Sequence, residues 1–375
     1  MPDLFEPTVL NGMTLANRFV RSATWEGLAT AEGFATERLT RLLVDLAAGN
    51  VGLIITSHAY VSPEGRAAPG QLGIYTDGHV PSLKEMVEKI HAAGGKVAVQ
   101  ISHGGRYALK FPDVVRLGPS AIETRGKLQC REMTVEEIQR ITSQFADAAR
   151  RARSAGFDAL QFHAAHGYLL SEFLSPFFNH RTDAYGGPLT NRARFLLESV
   201  NAVRAEVGSA FPILVKLNSQ EFLEGGSTVE DMLEVAHLLE KAKVDAIEMS
   251  GGNHVEGIFG AFFPARPGKQ KQGEVPYYLG EARRYKESIR VPLMLVGGIR
   301  SYEWAKRIVS EGYADYVSLS RPLIREPGLI KRWKSGDTAK SACISDNGCF
   351  KPALEGQGVF CAVAARKTER DPKEG

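Results

Sequence analysis

The stretch "FDALQFHAAHGYLL", residues 157–170, carries the first clue to the fold. Its apolar run FDALQF is too short for a helix and too continuous for a strand with one wet face. It fits a strand buried on both sides, as in a parallel sheet covered by helices. Gly156, just before it, is a natural helix stop. Directly after it, polar groups crowd in: His163, His166 and Tyr168. The same short run recurs along the chain, at 17–23, 51–56, 96–102, 212–218, 244–250, 291–298 and 314–320. Gly49, Gly94 and Gly312 stand before three of the others.

The intervening segments read as helices with recognisable starts. Thr134 with Glu137 fits a capping box ahead of Ile138, Ile141 and Phe145, which share one helical face. Thr228 with Asp231 is a weaker signal of the same kind, before Met232, Val235 and Leu239. Thr190 is placed as the cap of a helix through Phe195, Val200 and Val203 that stops at Gly208. Eight strand–helix units predict an α/β fold, the (β/α)8 TIM barrel, with a doubly wound open sheet as the alternative. The long segments 57–80, 164–189 and 251–278 all follow strands, and in a barrel such loops build the catalytic face.

Composition narrows the class of protein. The chain has 375 residues, 43% of them hydrophobic and 24% charged, with a net charge of +3. That charge is too small to imply a nucleic-acid or membrane partner. No basic start with an apolar run opens the sequence, and no apolar run approaches the ~20 residues of a membrane span. Four cysteines do not make a disulfide framework at this size. These features predict a cytoplasmic, enzyme-sized protein and leave its oligomeric state open.

In a barrel the last residues of the strands converge on one mouth. Here those residues include Ser22 and Thr24, Gln100 and His103, His163, Lys216 and Asn218, Ser250, Gly297 and Gly298, and Ser320 with Arg321. So many hydrogen-bonding groups and glycines argue for a ligand with polar atoms spread across the mouth. Gly297 and Gly298 permit close backbone approach, and Ser320–Arg321 adds a hydroxyl and a fixed cation. Loops after strands seven and eight often bind phosphate in this fold. Lys216 ends an apolar strand and needs a partner when buried, such as a ligand anion or an internal one. Gln100 offers both donors and an acceptor, which suits the edge of a heterocycle.

His163 and His166 leave three readings open. They could be two ligands of a catalytic zinc, although no third ligand stands in an obvious motif. They could be satisfied core histidines. They could also aim two N–H donors at one carbonyl oxygen, with the Tyr168 phenol beside them as an acid.

With these residues in view, the sequence resembles the Old Yellow Enzyme family of FMN-dependent NAD(P)H oxidoreductases, nearer to its two-histidine branch. The resemblance rests on LANRFVRSA, PEGR (63–66), VQISHGGR (99–106), HAAHGYLLSEFLSP, NHRTDAYGG with NRARF, VKLNSQEF and LSRPLI. It implies FMN in the mouth, its phosphate near Gly297, Gly298, Ser320 and Arg321. Gln100 and Lys216 would contact the flavin's pyrimidine side, and Ser22, Ala23 and Thr24 its other side. It also implies hydride transfer from NADH or NADPH, through flavin N5, to the β carbon of an α,β-unsaturated carbonyl compound. His163 and His166 would hold the carbonyl oxygen, and Tyr168 would protonate the α carbon.

Two departures qualify the resemblance. Trp25 stands where the family commonly has Cys or Thr over the flavin. Larger relatives hold a [4Fe–4S] cluster through C-x2-C-x3-C-x11-C. Here Cys343, Cys349 and Cys361 remain, Asp346 takes the second place, and the gap from it to Cys349 is one residue short. Four thiolates are the usual requirement, so the cluster is expected to be absent. The chain divides into a barrel, 1–335, and a C-terminal extension, 336–375, ending in the charged tail KTERDPKEG. An FMN dehydrogenase or dienoyl-CoA reductase-like enzyme without the cluster is the nearest alternative. A metal-dependent barrel hydrolase is a more distant one.

Overall fold

A computed structural model describes residues 2–110, 115–124, 127–253 and 275–370 of the protein. Most of the predicted loop 251–278, and the end of the charged tail, lie outside the described residues. Eight strands close into a parallel barrel: β1 (Phe19–Arg21), β2 (Leu53–Tyr60), β3 (Val97–Ser102), β4 (Ala159–Ala164), β5 (Ile213–Asn218), β6 (Ala246–Ser250), β7 (Leu293–Val296) and β8 (Tyr316–Leu319). Each strand pairs with its sequence neighbour, and β8 closes onto β1. The predicted barrel is therefore the fold, and the open sheet is excluded.

Helices cover the barrel's outside: α1 (Glu37–Ala48), α2 (Val80–Ala92), α3 (Val135–Ser154), α4 (Arg194–Val207), α5 (Val229–Lys241), α6 (Leu279–Ser288) and α7 (Tyr302–Ser310). The capping boxes predicted at Thr134 and Thr228 both form, the second with Asp231 as its reciprocal partner. Thr190 is a correction. It lies inside a one-turn helix, Leu189–Arg192, that runs into α4 with no side-chain cap. Gly208 does end α4, with a φ of 80° that glycine adopts without strain.

Inside the barrel, alternate residues of each strand face inward. Near the strands' N-terminal ends this face is apolar: Val20, Leu53, Ala98, Ala159, Leu214, Ala246, Met294 and Tyr316 pack together. An N-terminal hairpin, Thr8–Leu10 with Met13–Leu15, adds Leu10, Met13 and Leu15 to that cluster and so closes this end. Two residues further on, the inward positions turn polar: Gln100, Gln161, Lys216 and Glu248. The register pairs Gln100 with Gln161 and Lys216 with Glu248. A dry floor thus supports a polar layer, above which the mouth opens.

Strand β2 runs four residues past its predicted end, to Tyr60. A register shift between Ile55 and His58 breaks its alternation, which hid the extension in the sequence. The connection after β3 carries a small three-stranded sheet, Leu117–Gly118, Ile122–Thr124 and Lys127–Glu132, that was not anticipated.

Candidate active site

A cavity of about 450 Å³ opens at the C-terminal mouth of the barrel. Of the residues singled out in the sequence, Ser22, Ala23, Thr24, Gln100, His163, His166, Tyr168, Lys216, Gly297, Ser320 and Arg321 all line it. Gly298 does not; its Cα instead faces the ring of Tyr277. Trp25 also lines the cavity, with its indole N–H donating to the carbonyl of Pro69 at 3.1 Å.

The polar layer forms a connected chain below this mouth. Lys216 Nζ donates to Glu248 Oε2 at 3.0 Å and to Ser22 Oγ at 2.8 Å. Gln161 Nε2 donates to the same carboxylate oxygen at 2.9 Å, and Gln100 Nε2 donates to Gln161 Oε1 at 2.7 Å. Burial works against the Glu248 carboxylate, but the charge of Lys216 and the hydrogen bonds around it hold its pKa below the ordinary value. Glu248 is therefore the internal anion that lets a cation sit in the barrel. Glu248 and Gln161 were not singled out from the sequence, because they stand one inward step below the strand ends.

His163 comes from β4 itself, whereas His166 sits just beyond it with a φ of 63°. That left-handed turn is held by the His166 N–H donating to Asn218 Oδ1 at 3.2 Å. It folds the chain back so that the two imidazoles meet edge to face, centroids 5.2 Å apart. His166 Nε2 lies 2.8 Å from Ser250 Oγ. The Tyr168 ring is 4.6 Å from that of His163. Tyr168 is half-buried, and the desolvation it suffers there pushes its phenol up to about 12, so it stays protonated across the neutral range. Two imidazoles and a phenol on one wall can hold an oxygen and deliver a proton.

The opposite end of the cavity suits a phosphate. Thr24 Oγ1 and Ser320 Oγ lie 2.7 Å apart. Arg321 donates to Asn347 Oδ1 at 2.6 Å and to the Ser345 carbonyl at 3.1 Å, which fixes its fork in the C-terminal segment. Gly297 has a φ of 117°, and a Cβ there would stand 2.8 Å from the Tyr278 ring. The Tyr277 hydroxyl is buried with no partner among the described residues, although Tyr277 lines the cavity. The described lining holds three cations, Arg116, Lys216 and Arg321, and no carboxylate. This donor set fits an anionic heterocyclic ligand.

The C-terminal segment completes the mouth. Asn347 and Phe350 line the cavity, and Cys349, Ala353 and Val359 pack with Trp25 and Ala68. Cys343, Asp346, Cys349 and Cys361 line one small adjoining cavity. Among the described residues no group of three or more His, Cys, Asp or Glu side chains is placed to hold a metal ion. No helix among them is long and apolar enough to cross a membrane.

The model of the NADH:flavin oxidoreductase / NADH oxidase family matches residues 3–339. An NADPH dehydrogenase of Halalkalibacterium halodurans is 38% identical over 325 residues, covering 86% of this chain and 91% of that protein. An NADH oxidase of Thermoanaerobacter brockii is 35% identical over 357 residues, covering 93% of this chain. The chain spans only 54% of that relative's length. A solved 2-naphthoyl-CoA reductase complex superposes with a TM-score of 0.88 at 29% identity, over 98% of this chain and 58% of that one. The chain belongs to the NADH:flavin oxidoreductase / NADH oxidase family, that of the Old Yellow Enzymes. Membership in a family of flavin enzymes displaces the reading as a metal-dependent hydrolase.

Proposed function

We propose that the protein is an FMN-dependent ene-reductase that uses NADH or NADPH to reduce the carbon–carbon double bond of an α,β-unsaturated carbonyl compound. FMN, the family's cofactor, supplies the hydride carrier between the two substrates when bound. The donor set described above fits it, with Ser320, Arg321 and Gly297 at its phosphate. Gln100 and Lys216 serve the ring edge, and Ser22, Ala23 and Thr24 its other side. Lys216 puts positive charge where the ring system gathers negative charge. Gln161 and Glu248 keep that lysine and Gln100 in place from below.

The single observation that carries the reading is the meeting of His163, His166 and Tyr168 on one wall of the cavity that Gln100 and Lys216 floor. His163 and His166 hold the acceptor's carbonyl oxygen through N–H donors. Those bonds strengthen as negative charge builds on the oxygen, and each such donor contributes ~2.7–4 kcal/mol to the transition state. Tyr168 gives its proton to the α carbon, as an acid that stays protonated at neutral pH can. Asp346, at the second cluster position, leaves three thiols, and we propose that the protein works without the [4Fe–4S] cluster.

The test is anaerobic. The purified protein should be yellow, bleach with NAD(P)H and recover its colour with cyclohexenone. His163→Ala should slow recovery by about 100-fold or more while leaving bleaching and FMN content near wild type. Colour lost to NAD(P)H but not restored by any enone would overturn the alkene reading. The likeness to a 2-naphthoyl-CoA reductase supports a second reading, in which the acceptor is an unsaturated thioester. Recovery with a dienoyl-CoA but not with cyclohexenone would select it.

A further inference from the structure

We propose that His58 is the proton source that restores Tyr168 after each turnover, so that the acid of this site is a two-residue relay. The inference rests on the alkene-reductase reading and adds a residue to it.

The geometry begins with the irregularity in β2. The register shift between Ile55 and His58 carries the strand on to Tyr60 and sets His58 beside Gln100. The backbone there is pinned, because Gln71 Nε2 donates to the His58 carbonyl at 2.9 Å. Gln71 is in turn fixed by N–H donors from Ala67 and Ala68. The imidazole lines the active-site cavity, with Nε2 3.5 Å from the Tyr168 hydroxyl and ring centroids 5.2 Å apart. His58 and His163 stand edge to face at 6.1 Å, and both rings lie against the phenol, while His166 packs on His163. Two of the three are engaged by the acceptor's oxygen. The third is aimed at the phenol's own oxygen.

The chemistry of Tyr168 makes such a partner necessary. A phenol desolvated as this one is makes a poor place to leave a negative charge. When its O–H proton passes to the α carbon, the oxygen needs a proton in return. His58, acting as its imidazolium, donates its Nε2 proton to that oxygen, is left as the neutral ring, and takes up one proton from solvent to return to its starting state. Reduction of an alkene by NAD(P)H consumes one proton per turnover, and this route delivers it. Imidazole is the side chain suited to taking up and releasing a proton near neutrality. A contact of this length can tighten once the acceptor fills the cavity.

A double-mutant cycle in the FMN-loaded enzyme tests the relay. The readout is the steady-state rate, over many turnovers at saturating NAD(P)H, at which the enzyme converts cyclohexenone to the saturated ketone. His58→Ala and Tyr168→Phe should each slow it by about tenfold or more. The double variant should be no slower than Tyr168→Phe alone, because both changes cut one path. Added imidazole should restore His58→Ala and leave the double variant unchanged. Bleaching by NAD(P)H should stay within about twofold of wild type in His58→Ala, since no relay is needed there. If His58→Ala fails to hold FMN, His58→Gln takes its place in the cycle. Losses that multiply in the double variant, or a His58→Ala enzyme that imidazole cannot restore, would overturn the relay. A wild-type enzyme that no enone re-oxidises would instead overturn the alkene reading, and the relay with it.

Discussion

Replacing Glu248 separates the charge of the buried pair from its hydrogen bonds. Both Lys216 Nζ and Gln161 Nε2 donate to Oε2, whereas Oε1 is buried with no partner among the described residues. A glutamine can place its oxygen where Oε2 was and its amide nitrogen where Oε1 was. Glu248→Gln therefore keeps two bonds and loses the charge, and Glu248→Ala loses both. Lys216 and Glu248 side chains are 3% and 0% exposed, and their 3.0 Å separation corresponds to ~5–6 kcal/mol at an effective dielectric near 20. Desolvation offsets much of this, so removing one partner typically costs about 3–5 kcal/mol. Glu248→Ala should accordingly cost about 3–5 kcal/mol. Glu248→Gln should cost ~1–2 kcal/mol less, for the two retained bonds. Urea unfolding of the FMN-free protein, with both midpoint and slope measured, reads the difference. A loss below ~1 kcal/mol in Glu248→Ala, or equal losses in the two variants, would refute the account.

Two further outcomes follow from other sites. His103 is wholly buried, and burial chiefly pushes its pKa down to about 4, in keeping with Nδ1 accepting the Gly105 N–H at 3.1 Å. The unfolded chain takes up this proton below about pH 6.5 and the folded one only near 4. Stability should therefore be fully present above about pH 6.5 and fall by roughly 3 kcal/mol toward pH 4. His103→Asn should flatten that slope, and an unchanged slope would refute the assignment. Gly297→Ala adds a Cβ 2.8 Å from the Tyr278 ring at a φ of 117°. Strain of ~1–3 kcal/mol should cut FMN affinity about tenfold, measured as flavin released on dilution, and normal retention would count against the phosphate assignment.

The barrel was legible because each strand is a short apolar run and the helices between them carry their own caps. The capping boxes at Thr134 and Thr228 formed where hydroxyl and carboxylate stood three apart. Thr190 failed as a cap because Pro188 and Leu189 start the helical turn earlier, and a long-range fold decides that start. His58 was left in a loop because a register shift removes the period-two pattern that would have marked it as strand. Strand-end residues could be named from position alone. Gln161 and Glu248 could not, since a buried carboxylate within an apolar strand reads as a blemish until its cation is found opposite.

That pairing also explains how the site tolerates its charge. A lysine, two arginines and three imidazoles line one cavity with no carboxylate among the described lining residues. Such a concentration of positive and protonatable groups would repel itself if it had to be balanced at the mouth. The balance is instead set below, where Glu248 holds Lys216 and Gln161 passes that order to Gln100. The mouth is thus left positive toward an incoming anionic ligand and rigid beneath it. His166, on its left-handed turn, Tyr107 and Arg116 in the connection after β3, and the C-terminal segment bearing Asn347 and Phe350 are among the pieces that approach the mouth from outside the strands. A barrel of this kind can change what the mouth accepts by altering those outer pieces while the polar layer beneath stays fixed.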